Sequence, residues 1–183
     1  MYGVLGEDNS DTERLKVLIR RLAGNKSLPV EAKGYSGCGD LLRKGANQLM
    51  LFAELGCQRF VVCCDADGPD PRERRDEVLS RIVRPAAVER HCIVIPVQEL
   101  EAWILADLPA VSRVITGWKP SPINNPEHVA GPKERIEKLS RDSKRRPRYH
   151  HTTHNQQVAK YLDLNKVHRE CPSFRPLADF VRA

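Results

Sequence analysis

Two aspartates one residue apart, Asp65 and Asp67 in "FVVCCDADGPDP" (60–71), close a run of apolar and small residues. In extended backbone residues i and i+2 point the same way, so the two carboxylates would face one point with their α-carbons about 7 Å apart. Left alone they repel. Paired acids in a partly buried place either retain a proton or share a cation. A hard divalent ion such as Mg2+ or Mn2+ takes one or two carboxylates together with waters and phosphate oxygens. Glu7 follows an earlier apolar run, and Glu99 and Glu101 follow "CIVIPV". If these runs are strands ending on one edge, acid converges there from three of them. Asp and Gly also build solvated turns, and "DADGPDP" on its own fits that reading as well.

The elements that must position these residues alternate. Tyr2 to Leu5 predicts a short strand, and "SDTERLKVLIRRLAG" a helix with Ser10 as N-cap, Leu15, Leu18, Ile19 and Leu22 on one face, and Gly24 at its end. Val30 to Lys33 predicts a weaker strand. A glycine-punctuated loop "GYSGCG" then leads into the helix "DLLRKGANQLMLFAELG", with Leu42, Ala46, Leu49, Met50 and Ala53 as its apolar face. "RFVVCC" and "CIVIPV" read as buried strands around the helix "PRERRDEVLSRIV". Strands separated by such helices are parallel and joined by right-handed crossovers, which gives an α/β fold with a mainly parallel, helix-flanked sheet. Ligands of such sheets gather at the carboxyl ends of the strands. The glycine loop is not a P-loop, since no GK[ST] follows, and its glycines suit close backbone approach beside the acids.

A chain of 183 residues with 40% hydrophobic content supports one core. Residues 1–110 read as the α/β core and 111–183 as a basic, mostly helical extension packed on the same domain. Thirty basic against 24 acidic residues leave a formal charge of +6, which favours a polyanionic partner. The six cysteines form no CxxC pair and several sit in apolar runs, so they read as small core residues in a reducing compartment, not as a disulfide framework or zinc site. No apolar stretch is long enough for a membrane span, and "MYGVLGED" lacks the basic region and apolar core of a signal; the cytoplasm is expected.

Gly-Glu after the first strand, in "VLGEDNSD", followed by Asp-x-Asp after an apolar strand, in "VVCCDADG", resembles the toprim domain of topoisomerases, primases and overcoming-lysogenisation-defect nucleases. The segments "IPVQELEAWILAD", "NNPEHVAGPKERIEKL" and "VHRECPSFRPLADFV" are similar, over nearly the full length, to a small toprim-related bacterial family of mobile-element and phage-defence loci, sometimes encoded beside an ATPase. The resemblance implies a Rossmannoid, toprim-like fold. Glu7 would be the general acid or base, and Asp65 and Asp67 the metal pair. Glu99 or Glu101 would complete the site, with Asp70 a weaker candidate. It further implies a Mg2+- or Mn2+-dependent nuclease or nuclease subunit, a nucleic-acid substrate and a possible ATPase partner. No tyrosine can be assigned as a strand-cleaving nucleophile and no additional DNA-gripping domain is recognised in this sequence, so a topoisomerase or complete primase is not expected. Asp-x-Asp-Gly is also similar to haloacid-dehalogenase phosphatases, in which Asp65 would be nucleophile and Asp67 general acid. Here Pro69 stands where that family usually carries Thr. A third reading is a non-catalytic, toprim-like module that binds nucleic acid or a partner.

The second half concentrates charge. "PKERIEKLSRDSKRRPRYHHTTHNQQ" carries Lys133, Lys144, Arg145, Arg146 and Arg148 among its cations, which would contact phosphates, while Tyr149 or His150 could stack on an unpaired base. A solvated helix face followed by a mobile loop is the alternative. His150 and His154 share a helical face without the acid of a HExxH motif, so His154 as a helix cap or His151 as a phosphate contact fits better than zinc. Trp103, spaced helically with Leu100, Ile104 and Leu105, reads as core.

Overall fold

The computed structural model describes residues 1–66 and 70–183; Asp67 lies outside the described residues. Four strands, β1 (Tyr2–Gly6), β2 (Val30–Gly34), β3 (Arg59–Cys63) and β4 (His91–Val94), form one sheet in the order β2-β1-β3-β4. Every pairing is parallel. Tyr2 lies opposite Val30 on one side and Arg59 on the other, and Phe60 lies opposite His91. The protein is thus an α/β fold with an all-parallel sheet flanked by helices.

Helix α1 (Asn9–Leu22) joins β1 to β2, α2 (Cys38–Glu54) crosses from β2 over β1 to β3, and α3 (Pro71–Val78) leads toward β4. The first connection steps one way along the sheet and the second steps back, so crossovers of one hand put α1 and α2 on opposite faces. The two apolar cores record this. Val4, Val61, Cys63 and Val94 pack with Leu15, Leu18 and Ile19 of α1. Leu5, Val62 and Ile93 pack with Leu41, Leu49 and Phe52 of α2 and with Val78. Period-two alternation along each buried strand supplies both faces. After α3 the chain widens into a π-helical turn (Leu79–Val83), and the short α4 (Arg84–Ala86) follows. Pro85 has no N–H to donate to Arg81, so one α-helical bond is missing at this join.

The second half adds α5 (Ala102–Ala106), α6 (Leu108–Ser112), α7 (Pro132–Leu139), α8 (His151–Ala159), α9 (Leu164–Glu170) and α10 (Arg175–Arg182). Trp103, Ile136, Tyr149, Phe174 and Leu177 join the same core as α1, which makes residues beyond 110 part of that face's packing. Among the described residues no helix is long and apolar enough to cross a membrane.

Two expectations change. Asp8, not Ser10, caps α1: its side chain accepts the N–H of Asp11 at 2.8 Å, because only Glu7 and Asp8 separate β1 from the helix. The buried face of α2 is Leu41, Leu42, Gly45, Leu49 and Phe52, leaving Met50 47% exposed. Both stripes have helical spacing. Phe52 decides between them, since its ring packs where a side chain at Gly3 of β1 would stand.

Candidate functional site

Because β1 turns to β2 on one side and the chain returns to β3 on the other, the β1/β3 boundary is the switch point of the sheet. A crevice opens there beyond the carboxyl ends of the strands. In this protein the crevice is a cavity of about 230 Å³ lined by Glu7, Asp8, Asp11, Asp65, Glu99 and Glu101, with Lys133 and Gly37. Acids after β1, β3 and β4 therefore meet, as their positions at strand ends require. The first turn of α1 adds Asp11. No reading of the sequence singled out that residue; the signal was the two-residue β1–α1 connection, which leaves the first helical turn overhanging the strand ends.

Glu7 and Asp65 touch directly. The Oε1 of Glu7 accepts the backbone N–H of Asp65 at 2.8 Å, across 58 residues of chain. Burial, then the charges of Asp11, Glu7 and Glu101, push the Asp65 carboxyl well above the usual carboxylate range. Burial also raises Asp11 to about 7, helped by Asp8 and Glu101 and opposed by Arg14. Crowded acids of this kind hold protons unless a cation replaces them.

A fully buried arginine keeps this cluster from being uniformly acidic. Arg14, on the next turn of α1, donates from Nη2 to Asp11 at 2.7 Å and to Glu101 at 3.2 Å, and its side chain has no solvent exposure. Its Nε and Nη1 find no acceptor among the described residues. Burial would raise Glu101, but Arg14 first, and then the amide of Asn155 donating at 2.6 Å, hold it below the usual range. Asn155 in turn accepts from the hydroxyl of buried Tyr149. Glu101 is thus an ionised anchor.

Glu99 is also engaged. Its Oε2 accepts the Lys133 backbone N–H at 3.1 Å, at the start of α7, and its Oε1 lies 3.4 Å from Lys133 Nζ. Lys133 is raised by Glu101 and Glu99 against the effect of its burial. Both fourth-strand acids line the cavity as expected, yet each already has cationic or amide partners. Asp11 shares Arg14 with Glu101, and Glu7 holds the Asp65 N–H through one oxygen, which leaves its other oxygen to the cavity.

The β2–α2 loop secures the turn that carries Glu7. Tyr35 N–H bonds the Gly6 carbonyl at 3.2 Å and Gly37 N–H the Glu7 carbonyl at 3.0 Å. Gly37 has φ +95°, a conformation suited to glycine. Gly34 lies so close to the Asp8 backbone that an added Cβ would overlap it.

The remaining candidates divide. Lys144, Arg145 and Arg146 stand exposed on a tight turn whose Lys144 and Arg146 N–H groups bond Asp142. Arg148 is also exposed, but its guanidinium donates to the Thr116 carbonyl at 2.5 Å. Tyr149 is completely buried, which corrects its expected stacking role. His154 Nδ1 accepts the His150 N–H at 2.8 Å and so serves the start of α8. His151 lies 3.6 Å from Glu137. Trp103 is core, its Nε1 donating to Ser173 at 2.8 Å. Asp70 caps α3.

Fold and site together define an α/β protein with an acid-lined crevice at its switch point. The chain belongs to the family described as "Domain of unknown function (DUF4276)", whose profile matches residues 6–182. No curated protein and no solved structure matches it.

Proposed function

We propose that the protein is a divalent-metal-dependent, toprim-like nuclease or nuclease subunit that hydrolyses nucleic-acid phosphodiesters. The observation that carries this reading is the meeting of Glu7, Asp65 and Asp11 at the β1/β3 crevice. An all-oxygen donor set in which burial and neighbouring charge raise Asp65 and Asp11 suits a hard cation such as Mg2+ or Mn2+. Asp67, two residues from Asp65, is assigned to the same set on the sequence pattern. When bound, the ion supplies Lewis acidity toward a phosphate oxygen and lowers the pKa of water.

The chain's own groups do the rest. Glu7 fastens the two strand ends and is the candidate to move the proton of the attacking water. Lys133, at the cavity edge, places a positive charge where a phosphate would enter. Arg14 keeps Glu101 ionised and offsets acid charge from beneath. Lys144, Arg145 and Arg146 offer exposed cations for backbone phosphates.

The test is cleavage of labelled DNA, labelled RNA and a phosphomonoester with Mg2+ or Mn2+, with and without any ATPase encoded beside the gene. Metal-dependent phosphodiester cleavage that Glu7→Gln nearly eliminates supports the reading. Phosphomonoesterase activity insensitive to Glu7 would instead indicate an Asp65 nucleophile of the haloacid-dehalogenase type. Nucleic-acid binding without turnover would indicate a binding module.

A further inference from the structure

Where β3 runs out, successive side chains turn to opposite faces of the sheet. Asp65 faces the acid crevice, while its neighbour Cys64 belongs to the core on the α2 side. There its Sγ lies 3.1 Å from the Sγ of Cys38, the first residue of α2. Glu7 stands between the two environments. Its carboxylate and the two sulfurs lie within 4.8 Å of one another.

A second observation concerns Arg74 of α3. Its charge acts on both Cys38 and Cys64, and its Nε is buried with no acceptor among the described residues. Its Nη1 is ion-paired with Glu77 at 2.8 Å, so Arg74 is a cation already held in place near the two sulfurs.

We infer that Glu7, Cys38 and Cys64 form a site for a borderline-soft divalent ion of the zinc class, which shares Glu7 with the all-oxygen set and adds two sulfurs. Thiolates select such ions, whereas carboxylate and water ligands suit Mg2+ or Mn2+. At a Zn–S length of about 2.3 Å, tetrahedral geometry separates two sulfurs by about 3.8 Å. The present pair must open by about 0.7 Å, a shift that falls on partly buried Cys38 at the first position of its helix. On binding, each thiol releases its proton to solvent and each sulfur donates an electron pair to the ion. Two thiolates and one carboxylate against a divalent ion leave one negative charge, near which Arg74, shared with Glu77, contributes a positive one. Three protein ligands leave the fourth position open to water or substrate, as catalytic zinc sites do.

The site stands whether or not the oxygen cluster binds Mg2+, and the experiment separates the two. Co2+ is titrated into reduced, metal-free protein and its thiolate-to-metal charge-transfer absorption is followed. A band saturating near about one equivalent, displaced by Zn2+, is expected for a single thiolate site. It should be lost in Cys38→Ser, a near-isosteric change at a partly buried position beside the core, and kept in the control Cys57→Ser. Asp65→Asn should also keep it, even where that variant no longer responds to Mg2+. No band in the reduced parent at saturating Co2+, or an unchanged band in Cys38→Ser, overturns the assignment.

Discussion

The carboxylate of Glu7 accepts the backbone N–H of Asp65 at 2.8 Å, so the ends of β1 and β3 are fastened by one of the two acids that those strands deliver. A charge-assisted hydrogen bond of this kind is stronger than a neutral one. It also spends one lone pair of Glu7 on the backbone, which directs the remaining acceptor capacity outward to a ligand. The residue proposed to move the proton is thus also the one that fastens the two strand ends.

The acid set fixes the first prediction. Mg2+ or Mn2+ should raise the melting temperature, since the proposed site would exist only in the folded chain; the expected gain is about 2.7 kcal/mol at a hundredfold excess over Kd. Asp65→Asn should abolish the shift and Asp11→Asn should reduce it, without unfolding the metal-free protein. A full shift in Asp11→Asn, measured by scanning calorimetry, would remove that residue from the site.

Stability against pH gives a second. Asp11 titrates near 7 in the folded chain against an ordinary value of 3.8, and Asp65 is raised as well. The folded state therefore holds more protons than the unfolded state across that window. The contribution of these acids is complete below about pH 4 and is lost as pH rises through about 7. Glu101, depressed by Arg14, acts with the opposite sign, losing its contribution as pH falls below the ordinary carboxylate range. Metal-free protein should melt lower at about pH 8 than at about pH 5, and Asp11→Asn should flatten the trend. A Mg2+-induced shift that grows with pH is expected in the parent, because the ion then displaces fewer protons. Thermal melts with and without Mg2+ at each pH read both effects.

What the sequence made legible, and what it hid, follows from the range of the interactions. Glu7, Asp65, Glu99 and Glu101 were visible because strand ends are set by local apolar runs, and a parallel sheet brings those ends to one edge. Arg14 was not visible as their counter-ion. Its partner Glu101 is 87 residues away, and α1's pattern marks Arg14 only as one charge among several. Asp11 was hidden by helix bookkeeping, since an acid in a first turn already has an electrostatic reason to be there. Cys64 read correctly as buried, but its meeting with Cys38 depends on how α2 begins over β3. Tyr149 sits in a basic run that suggests exposure, whereas its hydroxyl is needed inside, on Asn155.

The basic turn carries a third prediction. Neutralising Lys144, Arg145 and Arg146 together should weaken nucleic-acid binding and lower its salt slope by up to about three units, through fewer released counterions. Arg148→Ala should differ in kind, with a loss of thermal stability from its lost bond to the Thr116 carbonyl. Binding isotherms across a salt series test the group. Parallel slopes for parent and triple variant would make these residues solvated charges only.

The last prediction reaches the acids without touching one. Gly34 ends β2 opposite Gly6, where a methyl group would overlap the backbone of Asp8. Neither Gly34 nor that stretch of Asp8 is a flexible side-chain end, so Gly34→Ala must displace the β1–α1 turn or the end of β2. Overpacking of this kind costs about 1–3 kcal/mol. The turn holds Glu7 and the cap Asp8, and α1 then carries Asp11, so a shift there separates three of the cavity's acids from Asp65 together. Gly34→Ala should therefore melt lower and show a much smaller Mg2+-induced shift, although every carboxylate remains. A comparable Gly→Ala change at Gly39, where added volume meets nothing within 4 Å, should leave the Mg2+ response intact. If Gly34→Ala keeps the parent's full response, the β1–α1 turn does not set the geometry of the metal-binding acids.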